Sequence, residues 1–238
     1  MRLMTLLSNV SEIKLSAASH NLAERLGHLM GLSGSVALAR TLQYKPQGEY
    51  ASQLDAAEDV QQRVLTVRER MMRTISNSFA HDDNEEQTKV PSADVTIRAQ
   101  ALQHYEPYRR FYVAHQLEMA VCVQNLRAEV RKKMALVSPE LSELAELDRT
   151  IEEGLVSYNR KLFNVTLKVL ERRFKSLLAE HLKQVGDVDD NRSEVWLKPG
   201  AWLDRFYQDM RELLLAEFDV RLQPVLGLLE ALNENTKI

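Results

Sequence analysis

Apolar positions recur by threes and fours along most of the chain, which is the spacing of one face of an α-helix. The pattern is longest from Ser138 to Val185, a stretch read as one very long helix. Leu144, Leu147, Ile151, Leu155, Tyr158, Leu162, Val165 and Val169 make one stripe along it. Phe163, Leu167, Leu170, Phe174, Leu178, Leu182 and Val185 make another along its later half. A helix with a single neighbour needs one stripe. Two stripes predict a central helix, with the others packed around it and with Leu155 and Leu162 buried.

The remaining pattern supplies those other helices. Met1–Val10 is expected to form a short helix, followed by a linker over 11–19. A second short helix carries Leu22, Leu26 and Leu29, introduced by Asn21 and Glu24 at the spacing of a capping box and ended by Gly31. A third follows Ser33, with Val36, Leu38, Ala39 and Leu42. From Ala51 to about Phe79 the apolar face is Leu54, Val60, Val64, Val67, Met71 and Ile75, with Arg63, Arg70 and Arg73 outward. Pro107 suits the first turn of a long helix, whose seam is Tyr105, Tyr108, Tyr112, His115, Met119, Cys122, Leu126, Val130, Met134 and Val137. Ser138 and Pro139 cap and open the next one. So short a connection predicts antiparallel neighbours, with Arg127, Arg131, Lys132 and Lys133 opposite Glu140, Glu143, Glu146, Asp148, Glu152 and Glu153. The last helix, Trp202–Leu232, has Trp202, Phe206, Met210, Leu213, Leu214 and Phe218 inward. Asp204, Asp209, Glu212, Glu217 and Asp219 are placed outward, toward the basic later half of the long helix. Pro224 removes a backbone donor and clashes one turn back, so a kink or break is expected at Leu222–Pro224, with a last short segment beyond it.

The fold expected is therefore all-α: an elongated, coiled-coil-like helical bundle with a long antiparallel hairpin and a head of short helices. Three regions are anticipated: a head and linking helix over 1–80, a mobile linker over 81–94, and a long-helix body over 95–238. Composition agrees, since only 8 Gly and 6 Pro in 238 residues leave little turn material for a sheet, while 45% hydrophobic residues suffice for a core. The net charge of −3 opposes a chain built wholesale for nucleic acid. Apolar runs are far short of the ~20 residues that span a membrane, so no membrane insertion is expected. MRLMTLLSNVSEIK lacks the long apolar core and cleavage site of a signal peptide. One cysteine, Cys122, fits a reducing compartment, and the cytoplasm is the expected location.

Candidate chemistry narrows by the same reasoning. The paired Glu-x-x-His of di-metal bundles does not occur, nor does His-Glu-x-x-His or a cysteine pair for zinc. Asp187, Asp189, Asp190 and Asn191 lack the central glycine of a calcium loop, and no Gly-rich phosphate loop is present. His20, His81, His104 and His181 are scattered. No catalytic residue, cofactor or metal is assigned. The short head resembles a helix-turn-helix only loosely, with Arg40 as its single strong base reader. Tyr105, Tyr108, Phe111 and Tyr112 interleave with Arg109 and Arg110, a combination that can stack bases and hold phosphates. At helical spacing the same tyrosines fill a seam, and that reading ranks first. The candidate interaction surface comprises Tyr105, Tyr108, Arg109, Arg110, Arg172, Arg173, Trp202 and Phe206.

Three segments, PYRRFYVAHQLEMA from Pro107, SPELSELAELDRTIE from Ser138 and PGAWLDRFYQDMRELLLAEFDVRLQPVLGLLEAL from Pro199, resemble a proteobacterial family of unknown function, number thirty-three forty-eight among such domains; NLAERL from Asn21 is a weaker echo. The resemblance carries over no catalytic residue. It implies a partner in a stator-like membrane assembly. The expected function is that of a non-enzymatic cytoplasmic protein acting through a protein partner or a further copy of itself. A nucleic-acid-binding protein using basic helix faces is the alternative, and a helical-bundle metalloprotein ranks last.

Overall fold

The computed structural model describes residues 22–46, 50, 56–80, 89–91, 104–185 and 196–235. Among these the elements are five helices and no strand: α1 (Leu22–Thr41), α2 (Ala56–Asn77), α3 (Tyr105–Met134), α4 (Pro139–Val185) and α5 (Trp202–Asn235). None is long and apolar enough to cross a membrane. The all-α expectation holds. The expected helix at 1–10, the linker over 11–19, the Asn21 cap, the calcium-like aspartates and most of the linker over 81–94 lie outside the described residues.

Local chemistry explains the helix ends. In α1 the backbone at Gly31 leaves the helix (φ 67°, ψ −176°), a conformation that costs glycine little and other residues more. The expected pair of short helices is thus one element interrupted there. Ser138 caps α4, its Oγ accepting from Leu141 N–H at 3.2 Å. Before α5, Gly200 takes φ 83° and its N–H donates to Asp204 Oδ2 at 2.8 Å. At Pro224 there is no break: α5 runs on through it to Asn235. A mid-helix proline costs about 3 kcal/mol. Leu222, Val225, Leu228 and Leu232 around and beyond it are all buried, and each fully buried side chain returns about 1.5–3 kcal/mol.

The chain divides into two units, and α2 to α5 each contribute to both. One, over 70–119 and 164–220 among the described residues, has an aromatic core. Tyr105, Tyr108, Phe111, Tyr112, Phe174, Trp196, Trp202, Phe206, Tyr207 and Phe218 are buried there. Phe174 sits 5.1 Å from Phe206 and 5.6 Å from Trp202, ring centre to ring centre and edge-on. Two residues of the expected mobile linker are tied into this unit: Val90 N–H donates to Ser78 O at 2.9 Å, and Pro91 O accepts from Tyr207 O–H at 2.5 Å.

The other unit, over 22–69, 120–163 and 221–235 among the described residues, has an aliphatic core. Val60, Val64, Val67, Val123, Leu126, Val130, Met134, Leu141, Leu222, Val225, Leu228 and Leu232 are buried. Its one buried aromatic among the described residues, Phe163, carries the Arg221 guanidinium 3.7 Å above its ring. Arg127 and Arg131 of α3 meet Asp148 of α4 at 2.5 and 2.9 Å, and Arg131 meets Glu152 at 2.7 Å. Those are the charges that the short α3–α4 connection was expected to place side by side. Lys133 instead pairs with Asp59 of α2 at 2.8 Å.

The two stripes of α4 need correction. Of the first, Val169 alone is buried. Leu144, Leu147, Ile151, Leu155 and Leu162 are half-buried, and Tyr158 and Val165 are exposed. The second keeps Phe163, Leu170, Phe174 and Leu178 inside but exposes Leu182. The most deeply buried helix is α5, with 14 of 34 residues buried against 11 of 47 in α4.

In the aliphatic unit three of the five buried positions of α4, Ser142, Ala145 and Thr150, are small, and α1 lies close against α4 at Thr150 and Gly154. Thr41 and Thr150 hydroxyls are 2.7 Å apart. A Cβ on Gly154 would stand 3.0 Å from Met30 Cγ and closer still to Met30 Cε. Gly154→Ala is therefore expected to destabilise the protein. Overpacking costs about 1–3 kcal/mol, and the ~1 kcal/mol gain in helix propensity offsets part of it. Urea melts decide the sign: stabilisation by ~1 kcal/mol would mean that Met30 swings aside.

Candidate functional site

In the aromatic unit α5 buries a carboxylate. Glu217 is 0% exposed, although its place in the sequence pattern suggested an outward charge. Tyr112 O–H donates to its Oε2 at 3.1 Å and Gln116 Nε2 to the same oxygen at 2.9 Å, both from α3. A buried polar group needs such partners, since leaving it unsatisfied costs about 1–3 kcal/mol. The signal that could have found this group is local. Leu213, Leu214, Ala216 and Phe218 flank Glu217 and are buried, so α5 is apolar almost all round at that level. A helix of that kind is enclosed, and its acidic residue goes inside with it.

The same turn of α3 buries His115, 1% exposed, with its ring edge-on to Phe111 at 4.7 Å. Neither ring nitrogen makes a hydrogen bond, and Nδ1 lies 3.7 Å from Glu118 Oε2. Burial holds the imidazole pKa below its usual value, so it is kept neutral. Thr166 Oγ1 and the indole nitrogens of Trp196 and Trp202 are likewise buried without a hydrogen bond. Burial also raises the Tyr105 and Tyr207 phenols, with Glu171 and Tyr108 respectively as the next causes. These phenols stay protonated and serve as donors; Tyr105 O–H reaches Leu167 O at 2.8 Å.

The structure separates the eight residues of the expected interaction surface. Tyr105, Tyr108, Trp202 and Phe206 are buried in the aromatic core, where Tyr108 packs on Phe206 at 5.5 Å. Arg109 and Arg110 are exposed, but both hold Glu106: Arg109 Nε and Nη2 reach its carboxylate at 2.6 and 2.8 Å, and Arg110 Nε at 3.1 Å. The Arg109 hydrogen bonds, helped by those of Arg110, lower the Glu106 pKa to about 2. Arg173 faces α5 and binds Asp209 at 2.6 Å. Arg172 is exposed and makes no ion pair among the described residues.

Around Arg172 the surface of α4 has its own order. Val165, Lys168, Arg172, Lys175, Ala179 and Leu182 alternate steps of three and four, and every one is exposed. This is the period of a coiled-coil seam, facing solvent. It went unseen because Val165 and Leu182 had been divided between two stripes assigned to the core.

Residues 1–234 match the family described as "Protein of unknown function (DUF3348)". The chain belongs to that family. The segments that carry the resemblance read from sequence fall within this match, and the family's description supplies no activity. No curated protein and no solved structure matches the chain. Among the described residues of this DUF3348 chain no three or more His, Cys, Asp or Glu side chains form a group that could hold a metal ion.

Proposed function

We propose that this DUF3348 chain is a non-enzymatic helical protein that works by binding another protein. One observation carries the reading. Helix α4 uses part of its surface for the core and keeps a second, regularly spaced row of residues in solvent, with Val165 and Leu182 each 45% exposed. Apolar residues at seam spacing are what one helix offers another. The buried polar groups fit a structural role, because Glu217 and the Arg127–Arg131–Asp148–Glu152 cluster are held by neighbouring side chains. The resemblance read from sequence makes a stator-like membrane assembly, approached from the cytoplasm, the first partner to look for.

A photo-crosslinking amino acid placed in the full chain at Leu117, which is 67% exposed on α3, and separately at Ala179 on α4, tests this in native cells. The expected result is a discrete protein adduct from at least one position. Recovery of nucleic acid with no protein adduct would favour the second reading, a nucleic-acid-binding protein. That reading is supported by the exposed Lys168 and Arg172 and requires binding that weakens steeply with salt.

A further inference from the structure

The exposed row on α4 has a distinct order of side-chain types. Val165 stands at its start and Ala179 and Leu182 at its end, with Lys168, Arg172 and Lys175 between them. At 1.5 Å per residue the row is about 26 Å long. Lys168 and Arg172 have no ion pair among the described residues, and Lys175 binds Glu171 at 2.7 Å in solvent. An exposed pair four residues apart is worth only about 0.3–0.5 kcal/mol, so Lys175 can exchange its partner at little cost. Lys183 adds a fourth exposed cation beside the row.

We propose that this row docks an amphipathic helix of a partner protein, acidic at its middle seam positions and apolar at both ends. The proposal rests on the protein-binding reading above and names the chemistry of the partner. Three cations at consecutive seam positions fix the sign of the occupant. They oppose a second copy of this chain seated on the same row, where like charges would face one another in the seam. Carboxylates at the facing positions turn that repulsion into attraction and set the register. The ends of the row distinguish a helix from a phosphate backbone. Phosphates reward Lys168, Arg172 and Lys175 but gain nothing from Val165, Ala179 and Leu182. A helix with leucines at its outer seam positions covers all six side chains. The chain's net charge of −3 likewise offers a polyanion no general attraction.

The test uses the full chain and a fluorescent helical peptide of about three heptads, with Glu at the middle seam positions and Leu at the outer ones. A counterpart peptide has Lys in place of Glu. Wild-type protein is expected to bind the acidic peptide, more weakly as salt rises, and to ignore the basic one. Lys168→Glu with Arg172→Glu changes two exposed side chains and is expected to leave the melting curve unchanged. It should weaken the acidic peptide by about a hundredfold and create binding of the basic one, as charge complementarity requires. The row is not the docking face if the acidic peptide fails to bind, if the double variant binds it unchanged, or if a DNA duplex binds the wild type more tightly at equal salt. Loss of a crosslinked dimer on charge reversal would also overturn the proposal, by making a second copy the occupant. In the cellular crosslinking, a protein adduct from Leu117 with none from Ala179 would reject this row while leaving the protein-binding reading intact.

Discussion

Phe206→Ala is expected to be the most damaging single truncation in the aromatic unit. Phe206 is fully buried, 5.5 Å from the Tyr108 ring and 5.1 Å from Phe174. Truncating a buried phenylalanine typically costs about 3–5 kcal/mol, from lost transfer energy plus the cavity left behind. Set against the 5–15 kcal/mol that holds a typical domain, that is a large share. The paired change Leu155→Ala with Leu162→Ala is expected to cost less than this one substitution, because both leucines are only half-buried. Urea melts followed by tryptophan fluorescence read the aromatic unit directly, since both tryptophans, Trp196 and Trp202, belong to it. If the leucine pair proves the more damaging, α4 rather than α5 carries the core.

That comparison marks where the sequence pattern was sufficient and where it failed. On α3 the seam residues Tyr105, Tyr108, Tyr112, His115, Met119, Leu126, Val130 and Met134 are buried, with Cys122 and, just past the helix end, Val137 half-buried, and on α2 Val60, Val64, Val67, Met71 and Ile75 are buried. Helix α2 presents one apolar face and a contrasting polar one, so spacing alone identifies its inside; on α3 the aromatic seam does so, although Val113, Leu117 and Val121 lie exposed on the same helix. Helix α4 has apolar residues on several faces, and spacing cannot rank them. Depth there follows which face α1 and α5 approach, and small residues such as Ala145 and Gly154 mark that approach better than leucines do. Apolar spacing therefore placed Leu155 and Leu162 inside and gave no sign of Ser142 and Thr150. Helix α5 is unbroken at Pro224 for a related reason: a local rule counts the missing hydrogen bond but not the burial of Leu222, Val225 and Leu228. Of the expected interaction surface, the aromatics are core, and Arg172 belongs to a row that appears only when exposure is known.

The second large effect concerns Glu217. Tyr112→Phe with Gln116→Leu removes two donors to a carboxylate that has no access to solvent. Leaving a buried polar group short of its partners costs about 1–3 kcal/mol, and more where the group is charged. The double variant is expected to lose stability on that scale in urea melts at neutral pH. Adding Glu217→Leu to it should then recover much of the loss, because an apolar cluster of similar volume replaces a polar one with too few partners. The order of the three stabilities is the test, since neighbouring changes are not additive. Wild type above the triple variant, and the triple above the double, is the order expected if the tyrosine and glutamine stabilise the protein by supporting the carboxylate. A triple variant no more stable than the double would mean that the carboxylate is needed by groups other than Tyr112 and Gln116, and that its burial in α5 serves more than the packing of this unit.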